Sequence, residues 1–384
     1  MIRFNVPVSL GKERRYIKQS LQNKRKPYRG LSFTQKCEEH LSRSMKAEKV
    51  SLTTSCTHAL EMAAMLLDVK EGDEIIMPSY TYVSTANAFA LRGAKIVFVD
   101  IRLDTMNIDE RLIEQAVTAK TKAIVPVHYS GVACEMDTIM AIAKKHNLYV
   151  IEDAAHGIEA KYKGRALGTI GDIGCLSFHE TKNFSMGEGG AIVINNKKFI
   201  ERCEIIKNKG TDKTAFLQGK KDKYTWVDMG SSYTPGDIGA ARLYAQLQAD
   251  EKISADRLRA WNLYDELLKP LAQSGVVQTP HIPDMCEHNG HIYYIKCADI
   301  DQREALITHL KGKGISSVFH YIPLHTSKAG LKYGQFCGED KYTTAERQKI
   351  LRLPMYYGIK ERDIKKVCEA VIRFYEAFKT NKYE

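Results

Sequence analysis

The sequence predicts an α/β fold in which helices cover both faces of a mostly parallel sheet. Between residues 50 and 196, apolar runs rich in β-branched residues alternate with stretches of helical periodicity. Several runs are apolar throughout instead of at every second position, which is typical of strands buried on both faces. In such folds, ligands bind at the carboxyl ends of the strands.

Seven apolar runs are the predicted strands of this sheet. They are VSLTT (50–54), EIIMP (74–78), KIVFVD (95–100), AIVPVH (123–128), YVIEDAA (149–155), DIGCLSF (172–178) and GAIVINN (190–196). Helical segments lie between them, as in HALEMAAMLLDV (58–69) and MDTIMAIAKKHN (136–147).

The pattern changes after about residue 240. An amphipathic stretch at 241–272 suits one long helix that links two domains. The later segments that predict short strands and helices are 291–297, 315–321, 303–314 and 362–378. We therefore expect a large α/β domain at residues 1–248 and a smaller α+β domain at residues 249–384.

Composition and charge narrow the class of protein. The chain has 384 residues and a net charge of +11, but its basic residues are dispersed, which argues against binding to nucleic acid. A phosphate-bearing small molecule and a solvated lysine surface are the remaining interpretations. We expect neither a signal peptide nor a membrane span. Nine scattered cysteines without a C-x-x-C pair predict reduced thiols and a cytoplasmic protein.

The segment TTSCTHALEMAA (53–64) places small polar residues between a strand and a helix. Free backbone N–H groups at a helix start, together with the helix dipole, form a site for an anion. Cys56 and Thr57 are placed to hold a phosphate there. An ordinary Ser/Thr helix cap is the alternative interpretation.

The segment IEDAAHG (151–157) ends an apolar strand in two adjacent carboxylates, Glu152 and Asp153. Strand alternation sends them to opposite faces. A buried carboxylate needs a positive partner, and a protonated pyridine nitrogen is one that lets its ring act as an electron sink. His156 would then reach a neighbouring ring oxygen. The alternative is a solvent-facing strand end with a satisfied histidine.

The segment GCLSFHETKNFSMGEGGAIV (174–193) carries Lys182 in a polar turn between two strands. A lysine that is desolvated among aromatic residues can lose its proton and act as a nucleophile, whereas most loop lysines are surface charges. The GEGG that follows does not precede a helix, so it does not indicate a dinucleotide site. No segment shows metal ligands at the required spacing, and we expect no metal.

Aromatic residues and histidines supply further candidates. Tyr80 and Tyr82 follow a predicted strand end, where either would stack on a flat ligand or pack in the core. His320 and His325 flank a turn in FHYIPLH (319–325), where they line a substrate pocket or are ordinary loop histidines.

In their order along the chain, these segments resemble the DegT-type sugar aminotransferases, of the fold-type I class of pyridoxal 5'-phosphate (PLP) enzymes. The resemblance runs from FNVPVSLGKE (4–13) to LRLPMYYGI (351–359). It implies PLP as the cofactor and a large domain with a mixed, mostly parallel, seven-stranded sheet. It also implies a smaller α+β C-terminal domain.

The resemblance also implies a role for each matching residue. It implies that Cys56, Thr57 and Ser177 bind the cofactor phosphate, that Tyr82 stacks on the ring, that Asp153 pairs with the ring nitrogen, that His156 lies beside the ring hydroxyl and that Lys182 forms the Schiff base. Lys182 and Asp153 are therefore the implied catalytic residues. His156 stands where many members have Gln, and histidine can still make the hydrogen bond.

Two further segments match parts of the family that concern the partner subunit and the substrate. MGSSYTPGDIGAA (229–241) matches a segment that reaches into the neighbouring site, which implies a homodimer in which Ser232 contacts the partner's phosphate. Many members have Asn in place of Ser232 and Arg in place of Thr234. The match of FHYIPLH lies near the substrate, and the substrate candidates are Tyr80, His320, Tyr321 and His325.

Within the family, the combination of SFHETKN (177–183), DKYTWVDMGSSY (222–233) and FHYIPLH (319–325) most resembles the dTDP-4-amino-4,6-dideoxygalactose transaminases. That implies dTDP-4-keto-6-deoxy-D-glucose as the acceptor and L-glutamate as the donor. KPYRGLSFT (26–34) is unusual at the substrate rim, so the gluco epimer and a 3-amino sugar are alternative products. By analogy alone, such sugars enter surface polysaccharides such as the O-antigen of lipopolysaccharide.

Two other functions share this fold. A sugar dehydratase would carry histidine in place of Lys182, and a non-enzymatic regulator would have no need of Lys182, Asp153 and His156 together. The retained residues argue against both interpretations.

Overall fold

The computed structural model describes residues 1–23 and 31–380, and the first five residues of KPYRGLSFT lie outside them. The strands are β1 (Lys49–Thr53), β2 (Glu74–Pro78), β3 (Lys95–Val99), β4 (Thr121–Ile124), β5 (Tyr149–Asp153), β6 (Lys161–Tyr162), β7 (Arg165–Ala166), β8 (Ile173–Ser177), β9 (Gly190–Ile194), β10 (Cys286–Glu287), β11 (Tyr294–Lys296), β12 (Gly334–Phe336) and β13 (Ile350–Arg352).

The described helices are longest in the C-terminal third of the chain. They are α1 (Glu13–Asn23), α2 (Phe33–Met45), α3 (Cys56–Leu66), α4 (Val83–Ala90), α5 (Glu110–Ile113), α6 (Met136–His146), α7 (Ile200–Lys207), α8 (Lys213–Leu217), α9 (Asp237–Leu247), α10 (Asp250–Gln273), α11 (Ile300–Gly312), α12 (Lys328–Tyr333), α13 (Thr343–Lys349) and α14 (Glu361–Thr380). Short 3₁₀ turns are Glu114–Ala116, Tyr129–Gly131, Lys197–Phe199 and Leu324–Thr326. Over residues 1–23 and 31–380, none of the helices has the length and apolar character needed to cross a bilayer.

A large mixed sheet organises the N-terminal two thirds of the chain. Its strand order is β1-β9-β8-β5-β4-β2-β3-β12. All neighbouring strands from β8 to β12 in that order are parallel, whereas β9 is antiparallel to both β1 and β8. The predicted α/β class is confirmed, and all seven predicted strands are present. The eighth strand, β12, was not predicted because its three residues carry no periodicity.

Both faces of the sheet are covered by helices, as the continuous apolar runs predict. Along β3, Val97 and Val99 belong to a core shared with α2 and α9, while Ile96 and Phe98 belong to a second core shared with α3 and α4. This division follows from the alternation of side chains along a strand. Because both faces of the sheet are packed with apolar side chains, polar functional groups lie at the strand ends.

The C-terminal part packs its own elements around a third core. α10 packs on α14, and β11 pairs antiparallel with β13 beneath them. This part also supplies β12 to the edge of the large sheet, parallel to β3. The division into domains at residue 248 stays a prediction.

Two predicted elements differ from the structure. The stretch 241–272 forms two helices, α9 and α10, separated at residues 248–249, because amphipathic periodicity continues through the break. The segment 315–321 was wrongly predicted to be a strand. Its pairings are two isolated bridges, from Ile315 to Ile2 and from Val318 to Arg352, and the chain then turns at Tyr321 with a φ of 35° ahead of Pro323.

Candidate active site

A cavity of about 630 Å³ lies at the carboxyl ends of β5 and β8. Its wall is built by the starts of α3 and α4, by the loop between β8 and β9, and by residues around 320 and 352 of the C-terminal part. The predicted site residues that line it are Cys56, Thr57, Tyr82, Asp153, His156, Ser177, Lys182, His320 and Tyr321. The fold therefore brings together side chains that are up to 265 positions apart in sequence, between Cys56 and Tyr321.

The start of α3 forms one wall of the cavity. The hydroxyl of Ser55, which caps the helix, accepts the N–H of His58 at 3.1 Å. The N–H groups of Cys56 and Thr57 precede the first intrahelical bond, so they and the helix dipole are available to an anion. The hydroxyl of Thr57 lies 2.8 Å from that of Ser84, at the start of α4. The Ser cap is thus present, and the predicted role of Cys56 and Thr57 in holding a phosphate stays a prediction.

Gly190 lets β9 approach the start of α3. A Cβ atom at this position would lie 2.4 Å from the backbone nitrogen of Cys56 and 2.4 Å from the carbonyl carbon of Ser55. Both are backbone atoms, which cannot move aside as a flexible side chain can. A glycine is therefore required where β9 passes the start of α3.

Asp153 presents its carboxylate to the cavity from the end of β5. Its Oδ2 accepts a 2.7 Å hydrogen bond from Thr85, and its Oδ1 accepts the N–H of Ala155 at 3.1 Å. The hydroxyl of Thr81 lies 2.8 Å from that of Thr85 and extends the chain of hydrogen bonds. Burial raises the pKa of Asp153, and these hydrogen bonds oppose the rise only in part. The carboxylate lacks a cation at hydrogen-bonding distance within the described residues.

Glu152 lies on the opposite face of β5, as strand alternation predicts. Its oxygens accept hydrogen bonds from His128 and from the N–H groups of Gly168, Ile170 and Gly171 at 2.6–2.9 Å. Burial alone would raise the pKa of Glu152, but this set of donors lowers it below its usual range. Glu152 is thus a structural carboxylate, and Asp153 is the one left for a ligand.

Lys182 lies in the turn after β8, where its N–H donates to the carbonyl of His179 at 3.0 Å. No hydrogen-bond acceptor or carboxylate within residues 1–23 and 31–380 pairs with its side-chain amine. Burial lowers the pKa of Lys182 to about 8, and the positive charge of Arg352 also disfavours its protonation. A substantial fraction of the amine is therefore neutral near pH 8 and able to act as a nucleophile.

His156 has its tautomer set by the backbone. Its Nδ1 accepts the N–H of Ser130 at 3.2 Å, so the proton of the neutral ring lies on Nε2. Burial lowers the pKa of His156 well below its usual range, and the charges of Lys182 and Arg352 lower it further. The ring is thus neutral and has one N–H to donate.

Two further histidines line the cavity. His291, which was not predicted as a site residue, lies 4.3 Å from His156 between ring centres, and its Nδ1 is 2.8 Å from Oδ1 of Asn183. His320 has its Nδ1 2.9 Å from the hydroxyl of Tyr129. Burial lowers the pKa of both histidines, so this wall is polar but uncharged.

Three predicted site residues do not line the cavity. Tyr80 is buried behind it, because its hydroxyl donates to the carbonyl of His320 at 3.1 Å. His325 is held away from it by Ser79, whose hydroxyl lies 2.7 Å from its Nδ1. Neither side chain lines the cavity, and their predicted contact with the substrate stays a prediction. Ser232 is exposed and lies outside the cavity of its own chain, which leaves its predicted contact with a partner subunit as a prediction.

The structure adds cavity residues that sequence reasoning missed. Ser84 and Thr85 follow Tyr82 in the first turn of α4, and their closeness to Tyr82 in sequence was the available signal. Arg352 is a single charge in the apolar run ILRLP, which marks a buried strand with one unexplained cation. Phe4 lies near the start of the chain and gave no signal.

Comparison with known proteins relates the chain to one family and to several sugar enzymes. The pattern of the DegT/DnrJ/EryC1/StrS aminotransferase family matches residues 10–372. GDP-perosamine synthase of Escherichia coli O157:H7 is 32% identical over 376 residues, which are 96% of this chain and 97% of that protein. The spore coat polysaccharide biosynthesis protein SpsC of Bacillus subtilis is 32% identical over 88% of each chain.

Among solved structures, the putative sugar aminotransferase Spr1654 of Streptococcus pneumoniae in its PMP form is similar along its whole length. The TM-score is 0.87 at 25% identity, and the match covers 98% of this chain and 100% of that one. The aminotransferase TlmJ of Streptoalloteichus hindustanus gives a TM-score of 0.88 at 25% identity, with 99% and 100% covered.

Proposed function

Because this chain belongs to the DegT/DnrJ/EryC1/StrS aminotransferase family, whose cofactor is PLP, we propose that it aminates a nucleotide-linked 4-keto-6-deoxy sugar with L-glutamate. The acceptor we propose is dTDP-4-keto-6-deoxy-D-glucose, and the product is dTDP-4-amino-4,6-dideoxygalactose. The observation that carries the proposal is the meeting of an unpaired amine, a buried carboxylate and a helix start in one cavity.

The residues of the cavity fit this cofactor. The free N–H groups of Cys56 and Thr57, with the hydroxyl of Ser177, would receive the phosphate. Asp153, which has no cation at hydrogen-bonding distance among the described residues, would pair with the protonated ring nitrogen. Tyr82, with 60% of its surface exposed, has a free face for stacking on the ring.

When bound, the cofactor supplies an electron-poor ring that stabilises negative charge on the carbon from which a proton is removed. Asp153 would keep the ring nitrogen protonated, and the Nε2–H of His156 would donate a hydrogen bond to the ring oxygen. Lys182 carries the proton between substrate and cofactor, because its lowered pKa allows it both to take up and to release one near neutral pH.

The base of the nucleotide has a second candidate. The similarity to GDP-perosamine synthase over nearly the whole chain favours a GDP-linked sugar as the alternative to the dTDP-linked one. The net charge of +11 suits the pyrophosphate of either. The galacto configuration and amination at position 4 rest on the resemblance in sequence, and the gluco epimer and a 3-amino product are the competing outcomes.

We place the reaction in the cytoplasm, in a homodimer with shared active sites. All nine cysteines are free thiols, which suits a reducing compartment.

Trp226 is 75% exposed, and Leu217, Val227 and Met229 are exposed near it in sequence. Apolar side chains of this size in one segment suit burial against a second copy. The same segment leads into Ser232, for which we propose contact with the partner's cofactor phosphate.

The purified protein, loaded with PLP, tests the proposal directly. It is incubated with L-glutamate and, in parallel, with dTDP-4-keto-6-deoxy-D-glucose and the corresponding GDP-linked keto sugar, and the product is solved by NMR. We expect a 4-amino-4,6-dideoxygalactose product from the dTDP sugar. Lys182→Ala serves as the inactive control and should lose the visible absorbance of the bound cofactor. Absence of turnover with every keto sugar would favour the non-enzymatic regulator.

A further inference from the structure

Arg352 brings an unpaired positive charge to the wall of the candidate active site. It ends β13 and lines the cavity together with Lys182. Its Nη2 donates to the carbonyl of Phe319 at 3.1 Å, and its guanidinium lies 4.8 Å from the centre of the Phe4 ring. Among the residues that the structure describes, no carboxylate lies within 4.0 Å of it, and its buried Nε has no acceptor.

Arg257 is a buried arginine with a structural role, and it provides a comparison for Arg352. Arg257 donates through Nε to the carbonyl of Gly290 at 3.2 Å and through Nη2 to the carbonyl of His291 at 2.7 Å. Its polar atoms face the backbone, and it does not line the cavity. Arg352 differs because it lines the cavity and because only its Nη2 has a hydrogen-bond partner among the described residues.

The surroundings of Arg352 do not neutralise it. The nearest titratable groups with which it interacts are the phenols of Tyr80, Tyr129 and Tyr321, and burial raises the pKa of each, so all three are neutral. Burial also lowers the pKa of Arg352, yet a guanidinium stays charged at neutral pH. A partly buried charge without a partner is costly, and an anionic ligand removes that cost.

We infer that Arg352 binds the α-carboxylate of the amino-acid donor. The inference deepens the proposed function and rests on it. A guanidinium edge presents two parallel N–H groups, which match the two oxygens of one planar carboxylate.

The position of Arg352 favours this carboxylate over the pyrophosphate of the sugar nucleotide. Its charge acts on Lys182, His156 and His320, so an anion that it binds lies close to the reacting amine. In an amino acid, the α-carboxylate is attached to the carbon that carries the amine. In the sugar nucleotide, the whole sugar ring separates the pyrophosphate from the keto carbon. Phe4 and Phe319, which flank Arg352, are uncharged, so they offer no second positive charge to the dianionic pyrophosphate.

A binding experiment tests the inference without requiring turnover. Glutarate, which has two carboxylates and no amine, is titrated by calorimetry into the PLP-loaded protein. We expect Arg352→Gln to weaken binding by about 10- to 100-fold, the loss typical of a hydrogen bond to a charged group. Arg165→Gln is the matched control. It removes the same charge from an exposed side chain that bonds only to the carbonyl of Thr169 among the described residues, and it should leave binding unchanged.

The half-reactions identify which anion is bound. With L-glutamate, Arg352→Gln should raise the concentration needed for half-maximal conversion by a similar factor. With 4-aminobutyrate, which lacks the α-carboxylate, it should change little, so the preference for glutamate should collapse. A weakened response to the keto-sugar nucleotide with glutamate unaffected would overturn the inference, as would unchanged glutarate binding.

Arg352→Lys, which keeps the charge without the planar edge, should fall between wild type and Arg352→Gln and carries the same test if Arg352→Gln is unstable. Failure of the proposed sugar reaction would appear as no turnover by the wild type, while the glutarate result would stand.

Discussion

The hydroxyl of Thr85, in the first turn of α4, donates a 2.7 Å hydrogen bond to Oδ2 of Asp153 at the end of β5. Because Thr85 donates to the carboxylate, the hydroxyl of Thr81 must donate to Thr85 across their 2.8 Å contact. Two neighbouring elements of the fold therefore orient and partly stabilise the charge of one carboxylate. The ionised form of Asp153 is the form that pairs with a protonated ring nitrogen.

Replacement of Thr85 by Val keeps the shape of this side chain and removes its hydrogen bond. A hydrogen bond to a charged group contributes about 1.5–3 kcal/mol, so we expect PLP affinity to fall about tenfold or more. The pKa of Asp153, which burial already raises, should rise further, and the acid limb of the kcat–pH profile should move to higher pH. Thr308→Val, which removes an exposed hydroxyl bonded to the carbonyl of Glu304, is the control. An unchanged acid limb would refute the role of Thr85.

The amine of Lys182 should set the pH dependence of cofactor uptake. Its pKa is lowered by burial from 10.5 to about 8, so the amine is protonated and unreactive below that pH and neutral above it. The rate at which the apo-protein gains visible absorbance with PLP should therefore rise with pH and have its midpoint near 8. Stopped-flow mixing between pH 6 and 10 measures it. Because Arg352 adds to the lowering, Arg352→Gln should move the midpoint upward, while Arg165→Gln should not.

His156 should act as a neutral hydrogen-bond donor and not as a titrating group. Its Nδ1 accepts the N–H of Ser130, and burial lowers its pKa well below the usual range. His156→Gln keeps a donor and should retain activity within about tenfold, whereas His156→Phe should lose about 1.5–3 kcal/mol of cofactor binding. Steady-state kinetics and PLP titration measure both. Equal losses in the two variants would contradict a donor role.

Gly190→Ala should separate β9 from the start of α3. The added Cβ would lie 2.4 Å from the backbone nitrogen of Cys56, so the backbone must shift. We expect about 1–3 kcal/mol of lost stability in chemical denaturation and a larger proportional loss of PLP affinity. Gly312→Ala is the matched control, because nothing lies within 4 Å of its added Cβ. That variant should be as stable as the wild type or more so.

The exposed segment around Trp226 should hold two copies together. Trp226→Glu places a charge on a side chain that is 75% exposed in the single chain, so it should not unfold the protein. In a dimer that buries this side chain, the charge should dissociate the subunits and lower activity. Light scattering coupled to gel filtration measures the mass. Leu331→Glu, at a side chain 73% exposed on α12, is the control for added charge. A dimeric Trp226→Glu variant would contradict this interface.

Much of the site was predictable because its residues follow strand ends. Asp153 is the last residue of β5 and Lys182 lies five residues after the end of β8, and local periodicity shows both strands and their ends. The positions of Tyr80 and Tyr82 show the limit of this reasoning. They are two residues apart, yet Tyr80 is buried behind the cavity and Tyr82 is exposed at it. Both lie after the end of β2, and Tyr82 already caps α4, so strand alternation does not predict their directions.

The contribution of the C-terminal part was not predictable from periodicity. Arg352 lines the cavity only because β13 pairs with β11 and Val318 bridges to the same residue. Those contacts join segments that are far apart in sequence, and no local pattern reports them. The place of His325 was not predictable for the same reason, because its ring contacts the hydroxyl of Ser79, which lies 246 positions away in sequence.

The parallel pairing of β12 with β3 has a consequence for synthesis of the chain. A polypeptide emerges from the ribosome with its N-terminus first, and domains begin to fold before the rest has been made. The edge of β3 therefore keeps unpaired N–H and C=O groups until β12 has been synthesised near the end of translation. A nascent or C-terminally truncated chain therefore exposes an aggregation-prone strand edge. Expression at lower temperature or with chaperones should raise the yield of chains truncated before β12.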